Sequence, residues 1–138
     1  MPNDVARNKQ LLLDAIATFN RGDLDGYLAT YHDDAVIHGL PSDYGESKRE
    51  HRLYLQAVLT AFPGLQVEVD ELIGEGPNVV ARMTYRGTHV HDFRGIVATG
   101  RTVAWSGIAI RRYDDEGRTV ERFIANDTDG LRRQLEAA

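Results

Sequence analysis

A run of alternating residues decides how this sequence folds: positions 79–89 read VVARMTYRGTH. One side of the run carries Ala81, Met83 and Tyr85 and ends in His89, while arginine and threonine occupy the other side. A period of two is that of a β-strand with one buried face. We therefore predict a strand over 79–89 whose apolar face lies against the core.

Further segments have the same extended character. Residues 65–69 alternate in the same way, and residues 102–113 and 119–127 are longer extended runs. Turn-forming residues separate them at 74–78 and 114–117. The second half of the chain thus predicts four consecutive β-strands.

The first half is typical of helices. Apolar residues recur at helical spacing between 4 and 21, and Asp23 can cap a second, shorter helix. Residues 35–38 read as a short strand, and a capping box at 47–50 opens a third helix. The tail 130–138 predicts a last short helix.

This order of elements indicates an α+β fold in one domain, residues 1–138. A sheet of consecutive strands with helices on one face is expected to be antiparallel. The lone glycines Gly87, Gly95 and Gly107 fit bulges or bends that curve a sheet. A curved sheet closed on one side by helices encloses a pocket.

Composition excludes several classes of function. The chain has 138 residues, a formal net charge of −5 and no cysteine, which rules out disulfides, thiolate metal sites and a cysteine nucleophile. No block of basic residues favours nucleic acid, and no apolar run reaches the ~20 residues of a membrane span. The first residues do not resemble a signal peptide. We expect a small cytoplasmic protein without nucleic-acid or membrane partners.

Strand alternation sorts the candidate site residues. We expect the following residues to face the pocket and bind a substrate: His38, Met83, Tyr85, Trp105, Ala109 and Phe123. Asp127 follows Phe123 on the same predicted face. The same alternation predicts that five residues face outward, away from the pocket: Arg82, Thr84, Arg86, Arg112 and Arg122. His32 and His51 fall on predicted helix surfaces, and we assign them no role.

Asp127 has two interpretations. A carboxylate among apolar residues has a raised pKa, so it can take and return a proton near neutrality, with His89 as a second group. Residues 126–130, NDTDG, are also typical of a turn and helix cap, a role that an aspartate in this setting has more often than catalysis. His89 and His91 form an H-x-H pair, but no third ligand follows at usable spacing, so we predict no metal site.

Several segments together resemble the SnoaL-like polyketide cyclase family. They are EG at 75–76, VVAR at 79–82, GTH at 87–89, FRGI at 93–96, TGR at 99–101, SGI at 106–108, VERF at 120–123, Asp127 and GLRRQL at 130–135. The opening FNRGDLD at 19–25 and YHDDAV at 31–36 is similar to the wider nuclear-transport-factor-like superfamily. The resemblance implies a curved antiparallel sheet wrapped around helices into a cone with an apolar cavity.

The resemblance also implies a chemistry. Characterised relatives close an aromatic polyketide precursor by an intramolecular aldol reaction, without metal or cofactor. Their catalytic aspartate lies four residues after an aromatic in the last strand, which corresponds to Asp127 after Phe123, and His89 matches a supporting position. The sequence departs from the pattern in having phenylalanine where tryptophan is common at 123, and in lacking the usual proline in 97–100.

The resulting hypothesis is proton abstraction by Asp127 from a small hydrophobic carbonyl compound. His89 and Trp105 would stabilise the developing oxyanion. A hydrolase or isomerase of the same fold, and a non-catalytic ligand-binding or dimerisation module, stay open as alternatives. The superfamily resemblance further implies a homodimer formed through the outer face of the sheet.

Overall fold

The computed structural model describes residues 4–137 and contains four helices and five strands. The helices are α1 (Val5–Asn20), α2 (Leu24–Leu28), α3 (Lys48–Ala61) and α4 (Thr128–Glu136). The strands are β1 (Tyr31–His38), β2 (Gln66–Glu75), β3 (Asn78–Thr88), β4 (Thr102–Tyr113) and β5 (Thr119–Asn126). The predicted α+β class and element order are confirmed.

Each helix begins where a side chain can accept its first free N–H groups. The Asp4 carboxylate accepts from Arg7 N, Asp23 from Gly26 N, and Ser47 Oγ from Glu50 N. Such caps satisfy backbone donors that have no partner inside the helix. The predicted starts of α1, α2 and α3 are therefore confirmed, whereas α4 begins two residues earlier than expected.

The five strands form one curved sheet in the order β1-β5-β4-β3-β2. All neighbouring pairs are antiparallel except β1 and β5, which are parallel. The expectation of a wholly antiparallel sheet is therefore wrong at one edge. Parallel neighbours need a long connection, and here α3 and three strands lie between the two partners in the chain.

The sheet bends at positions other than the glycines that predicted bends. Its register shifts lie between Val69 and Glu71 in β2, between Tyr31 and Val36 in β1 and between Arg112 and Tyr113 in β4, while β3 and β4 pair with each other without interruption through Gly87 and Gly107. At position 107 a Cβ atom would collide with the side chains of Asn126 and Tyr85. Gly107 therefore makes room for two neighbouring side chains.

The helices cover the concave face of the sheet. Residues of α1 contact β2 and β3, α3 contacts β1, and α4 contacts β4. The core between these layers contains the buried apolar residues Leu12, Phe19, Ile37, Phe62, Met83 and Leu131. No helix within residues 4–137 has the length and apolarity needed to cross a membrane.

Candidate functional site

The helices and the concave face of the sheet enclose a cavity in two parts. The outer chamber has a volume of about 510 Å³ and is bounded by Leu40, Phe93, Arg94, Ile96, Leu131 and Leu135, among others. The inner chamber, of about 50 Å³, is bounded by Tyr27, His51, Met83, Tyr85, Arg122 and Asn126, among others. Both chambers share Tyr54, Val58, Trp105, Ile124 and Asn126, so they lie next to each other. The outer volume lies in the range of small-molecule sites.

Three of the predicted substrate-binding residues line this cavity. Met83 and Tyr85 reach it from β3, and Trp105 from β4. Ala109 is buried on the same face of β4 but lies outside the cavity lining. The predicted inward faces of β3 and β4 are thus correct.

The predicted inward face of β5 is wrong. The cavity is lined by Arg122, Ile124 and Asn126, whereas Phe123 lies on the convex side with 47% of its surface exposed. The reason is the register with β4: Arg122 pairs with the buried Arg111, and Phe123 pairs with the more exposed Ile110. Alternation fixes two faces of a strand, but only the pairing decides which of them is buried.

His38 also lies on the convex side of the sheet. Its ring stacks on Phe123 with centroids 4.4 Å apart. Its Nδ1 lies 2.6 Å from a Glu46 oxygen and its Nε2 lies 2.9 Å from a Glu121 oxygen. These hydrogen bonds, chiefly the one to Glu121, raise the pKa of His38. His38 does not line the cavity, so its predicted position in the pocket is wrong.

Asp127 caps α4. Its carboxylate accepts a hydrogen bond of 2.9 Å from Gly130 N, and its own N–H donates to Ser106 O of β4. The residue is exposed and is absent from the lining of both chambers. The prediction that it faces an apolar pocket is wrong, because it follows the outward series of β5. The catalytic role of Asp127 stays a prediction. Its position outside the cavity does not support that role.

His89 is buried outside the cavity. Its Nδ1 accepts a hydrogen bond from Thr99 N at 3.2 Å, and its ring stacks on Phe62 with centroids 5.3 Å apart. Its backbone N–H donates to Arg101 O. These contacts hold together the ends of the connection between β3 and β4. The structure does not bring His89 and Asp127 to a common site, and the supporting role of His89 stays a prediction.

The prediction that His51 lies on a helix surface is wrong. His51 lies in the first turn of α3, is 1% exposed and lines the inner chamber, and neither ring nitrogen has a hydrogen-bond partner within residues 4–137. Burial, and then the charges of Arg122 and Arg111, hold the pKa of His51 well below its ordinary value. The imidazole is therefore neutral and a weaker base than an exposed histidine, so it takes up a proton only when negative charge develops beside it. The signal was present, since His51, Tyr54, Leu55 and Val58 share helical spacing.

Two arginines that face the cavity side of the sheet were also missed. Arg111 of β4 and Arg122 of β5 lie opposite each other and are both almost fully buried. Arg111 donates to Thr119 Oγ1 at 3.1 Å and to the Tyr27 hydroxyl at 2.9 Å, and its guanidinium lies 4.5 Å from the centre of the Tyr31 ring. Arg122 lines the inner chamber beside Tyr85. Arg111 could have been predicted, because it continues the inward series of Trp105 and Ala109.

The charges of the two arginines affect the pKa values of the tyrosines around them. The hydroxyls of Tyr27 and Tyr31 lie 2.9 Å apart. Burial alone would raise the pKa of Tyr27, but Arg122 and Arg111, together with its hydrogen bonds, lower it overall. Burial raises the pKa of Tyr31. Burial opposes the charge on Arg122, yet Tyr27, Tyr31 and Tyr85 hold its pKa above the ordinary value, so it remains a cation.

The inner chamber thus combines a neutral imidazole with a guanidinium in surroundings from which water is largely excluded. An imidazole can accept a proton, and a cation can stabilise negative charge that develops on a nearby oxygen. Electrostatic interactions are stronger in such a site than in water because the local dielectric is low. The arrangement therefore has the groups needed for proton transfer next to a carbonyl.

Comparison with known proteins agrees with the fold. The chain is similar to AclR of Streptomyces galilaeus, named as a candidate hydroxylase, at 30% identity and a TM-score of 0.88 over 98% of this chain and 99% of that one. It is similar to TsrD of Streptomyces laurentii at 29% identity and a TM-score of 0.83, with 98% of each chain covered.

A third similar structure is IdmH of Streptomyces antibioticus, named as a candidate polyketide cyclase. It is 26% identical with a TM-score of 0.81, over 93% of this chain and 97% of that one. No curated protein matches the sequence. The sequence profile of SnoaL-like polyketide cyclases matches residues 9–135, most of the chain. The chain therefore belongs to the SnoaL-like polyketide cyclase family.

Proposed function

We propose that this protein is a cofactor-free acid–base enzyme that closes a ring in a small hydrophobic carbonyl compound by an intramolecular aldol reaction. Family membership and the size of the outer chamber support this reaction class. The observation that carries the proposal is the buried His51, whose ring nitrogens have no partner within residues 4–137 and which lines the inner chamber together with Arg122.

In this mechanism His51 takes a proton from the carbon next to a substrate carbonyl. The C–H electron pair becomes the enolate, whose oxygen is stabilised by Arg122. The enolate carbon then attacks a second carbonyl of the same molecule, a C–C bond forms, and the new alkoxide takes the proton back from His51. The cavity contributes by holding the two reacting carbons about 3–3.5 Å apart.

The apolar walls serve the same reaction. Trp105 and Val58 border both chambers, while Phe93 and Leu131 border the outer one. Such walls bind the hydrocarbon part of a substrate and keep water from protonating the enolate. We propose Met83 and Tyr85, predicted as substrate-binding residues, as contacts of the reacting end.

Proton exchange tests this function without knowledge of the natural substrate. We expect the protein to accelerate exchange of the methyl protons of 2-acetylnaphthalene in D₂O, followed by NMR. His51→Gln should lower the rate by about 10²–10⁴, the usual contribution of a general base. His91→Gln is the matched control, since His91 is exposed outside the cavity. Equal rates for wild type and His51→Gln would contradict the role of His51.

The alternative functions predict different results in such experiments. An isomerase would exchange the same proton without forming a C–C bond, and a non-catalytic binding module would bind without exchange. The name of AclR adds hydroxylation, which oxygen uptake on addition of substrate would reveal. A hydrolase would instead need an activated water.

We also propose that the protein forms a homodimer through the convex face of the sheet. Ile108, Ile110 and Phe123 are exposed there, next to charged residues of β3 and β4. Exposed apolar patches of this kind are typical of interfaces. Size-exclusion chromatography with light scattering should give twice the monomer mass, and Ile108→Lys should shift it to the monomer. A wild-type monomer at micromolar concentration would contradict the proposal.

A further inference from the structure

The inner end of the cavity contains positive charge without a matching negative charge. Arg111 and Arg122 face each other across β4 and β5, and both are buried. Within residues 4–137, no aspartate or glutamate lies within 4.0 Å of either guanidinium. Buried charges are usually paired, because removal from water is costly for an isolated ion.

The two arginines differ in how far the protein satisfies them. Arg111 donates to Thr119 and Tyr27 and lies over the Tyr31 ring. Arg122 is held beside Tyr85, but its Nε has no partner within the described residues although it is buried. Arg122 also lines the inner chamber, and Arg111 does not. The unsatisfied cation is therefore the one that a ligand can reach.

The other polar groups that line the inner chamber include no carboxylate. They are the hydroxyls of Tyr27 and Tyr85, the amide of Asn126 and the imidazole of His51. His51 is itself an unpartnered buried group lining the same space. Both observations point to a ligand that brings a negatively charged oxygen.

We infer that the inner chamber binds an oxyanion of the ligand on Arg122, so that the ligand class is an apolar ring compound with an ionised oxygen acid. A carboxylate and the enolate of a 1,3-dicarbonyl share this chemistry. A guanidinium is suited to both, since its planar donors can form charge-assisted hydrogen bonds with delocalised oxyanions. This inference rests on the proposed function, because both place the substrate in the same cavity. It adds that the substrate carries a negative charge.

The sizes of the chambers determine the orientation of such a ligand. The inner chamber, about 50 Å³, has room for a group of a few atoms, whereas the outer chamber, about 510 Å³, holds a ring system. Trp105 borders both chambers, where it can contact the ring next to the acidic group. The acid therefore points inward and the ring outward.

Calorimetric titration with matched pairs of probes tests this. In the carboxylate arm 2-naphthoate is compared with its neutral isostere 2-naphthamide, and in the enolate arm ionised 1,3-indandione is compared with 1-indanone. We expect the anion to bind at least about tenfold more tightly than its neutral partner in one arm, as charged hydrogen bonds exceed neutral ones by that order. The arm with the larger ratio identifies the acid.

Arg122→Met should remove this preference, and Arg86→Met, on an exposed arginine of β3, should leave it unchanged. Binding of the neutral probes to Arg122→Met shows that the variant is folded, and Arg122→Lys, which keeps the charge, should retain part of the preference. Equal affinity for anion and neutral isostere in the wild type, or a preference that survives in Arg122→Met, overturns the inference.

A tyrosinate at neutral pH would also overturn it, because the chamber would then carry its own anion. Ultraviolet difference spectra of wild type and Tyr27→Phe detect this form, and we expect no difference in the phenolate band. All these measurements are of binding or ionisation. A failure of His51→Gln to slow proton exchange would therefore count against the proposed reaction and leave the charge preference standing.

Discussion

The charged residues on the two faces of β5 differ in whether they have a partner of opposite charge. On the convex face Glu121 accepts hydrogen bonds from Arg112 and contacts His38, so acid and base are matched. On the concave face the next residue, Arg122, is buried without a carboxylate partner within residues 4–137. Adjacent positions of one strand thus have a satisfied and an unsatisfied charge.

This difference separates groups that serve the fold from groups available to a ligand. Exposed ion pairs contribute little to stability but leave no polar group without a partner. An unsatisfied buried cation lowers stability, and such cost is common where a protein is organised for function. The concave face of β5 is therefore where function is expected.

The largest effect on stability is expected from Arg122→Met. Methionine is apolar and of similar length, so it removes the desolvation cost and the repulsion with Arg111. By analogy with buried ionic groups replaced by apolar ones, we expect the free energy of unfolding to rise by about 1–4 kcal/mol. Urea denaturation measures it. A clear loss of stability would show that Arg122 stabilises the fold. The charges on both faces of β5 would then serve the fold, and the difference between the faces would disappear.

A smaller effect is expected at the end of the strand, from Asp127. Asp127→Ala removes the cap of α4 and should lower the free energy of unfolding by about 0.5–2 kcal/mol, whereas Asp127→Asn keeps a capping oxygen and should leave stability nearly unchanged. We expect the rate of proton exchange to be the same in Asp127→Asn and wild type. A large drop in that rate would restore Asp127 as the catalytic base.

The smallest effect is expected from His38→Gln, and it depends on pH. Hydrogen bonds to Glu121 and Glu46 raise the pKa of His38, so its contribution is complete below the ordinary value of 6.5 and is lost as pH rises through the raised value. Hydrogen bonds from His38 and Arg112 lower the pKa of Glu121, so its contribution is complete above 4.5 and is lost as pH falls through the lowered value.

The difference in melting temperature between wild type and His38→Gln should therefore be largest between pH 4.5 and 6.5. It should be small, because these side chains are exposed or half-exposed. His91→Gln, at an exposed histidine of the connection between β3 and β4, is the control. A constant difference for His38→Gln would mean that the ion pairs do not stabilise the fold.

Much of the fold could be predicted from the sequence. Periodicity located the strands that carry Met83 and Trp105, and their inward faces were correct because each has one clearly apolar side. Capping residues such as Ser47 located helix starts. These features depend on neighbours in the chain, which a single sequence contains.

The site could be predicted only in part, because it depends on how strands and helices that are distant in the sequence pack against one another. Phe123 and Ala125 make one side of β5 as apolar as the side with Ile124, and pairing with β4 decides between them. Arg122 is predicted to face outward because it alternates with Phe123, and that alternation does not reveal which of the two faces is buried. His51 has helical spacing with Tyr54 and Val58, but only the closed cavity gives that face a function.

The parallel pairing of β1 with β5 has a consequence for how the cavity is made. It joins segments from opposite ends of the chain, as in Ile37 beside Arg122. Contacts so distant in sequence carry a large loop-closure entropy and form slowly, whereas the hairpins of β2, β3 and β4 close locally. We therefore expect the meander to form first during folding, and the buried arginine to be enclosed only when the last strand meets the first.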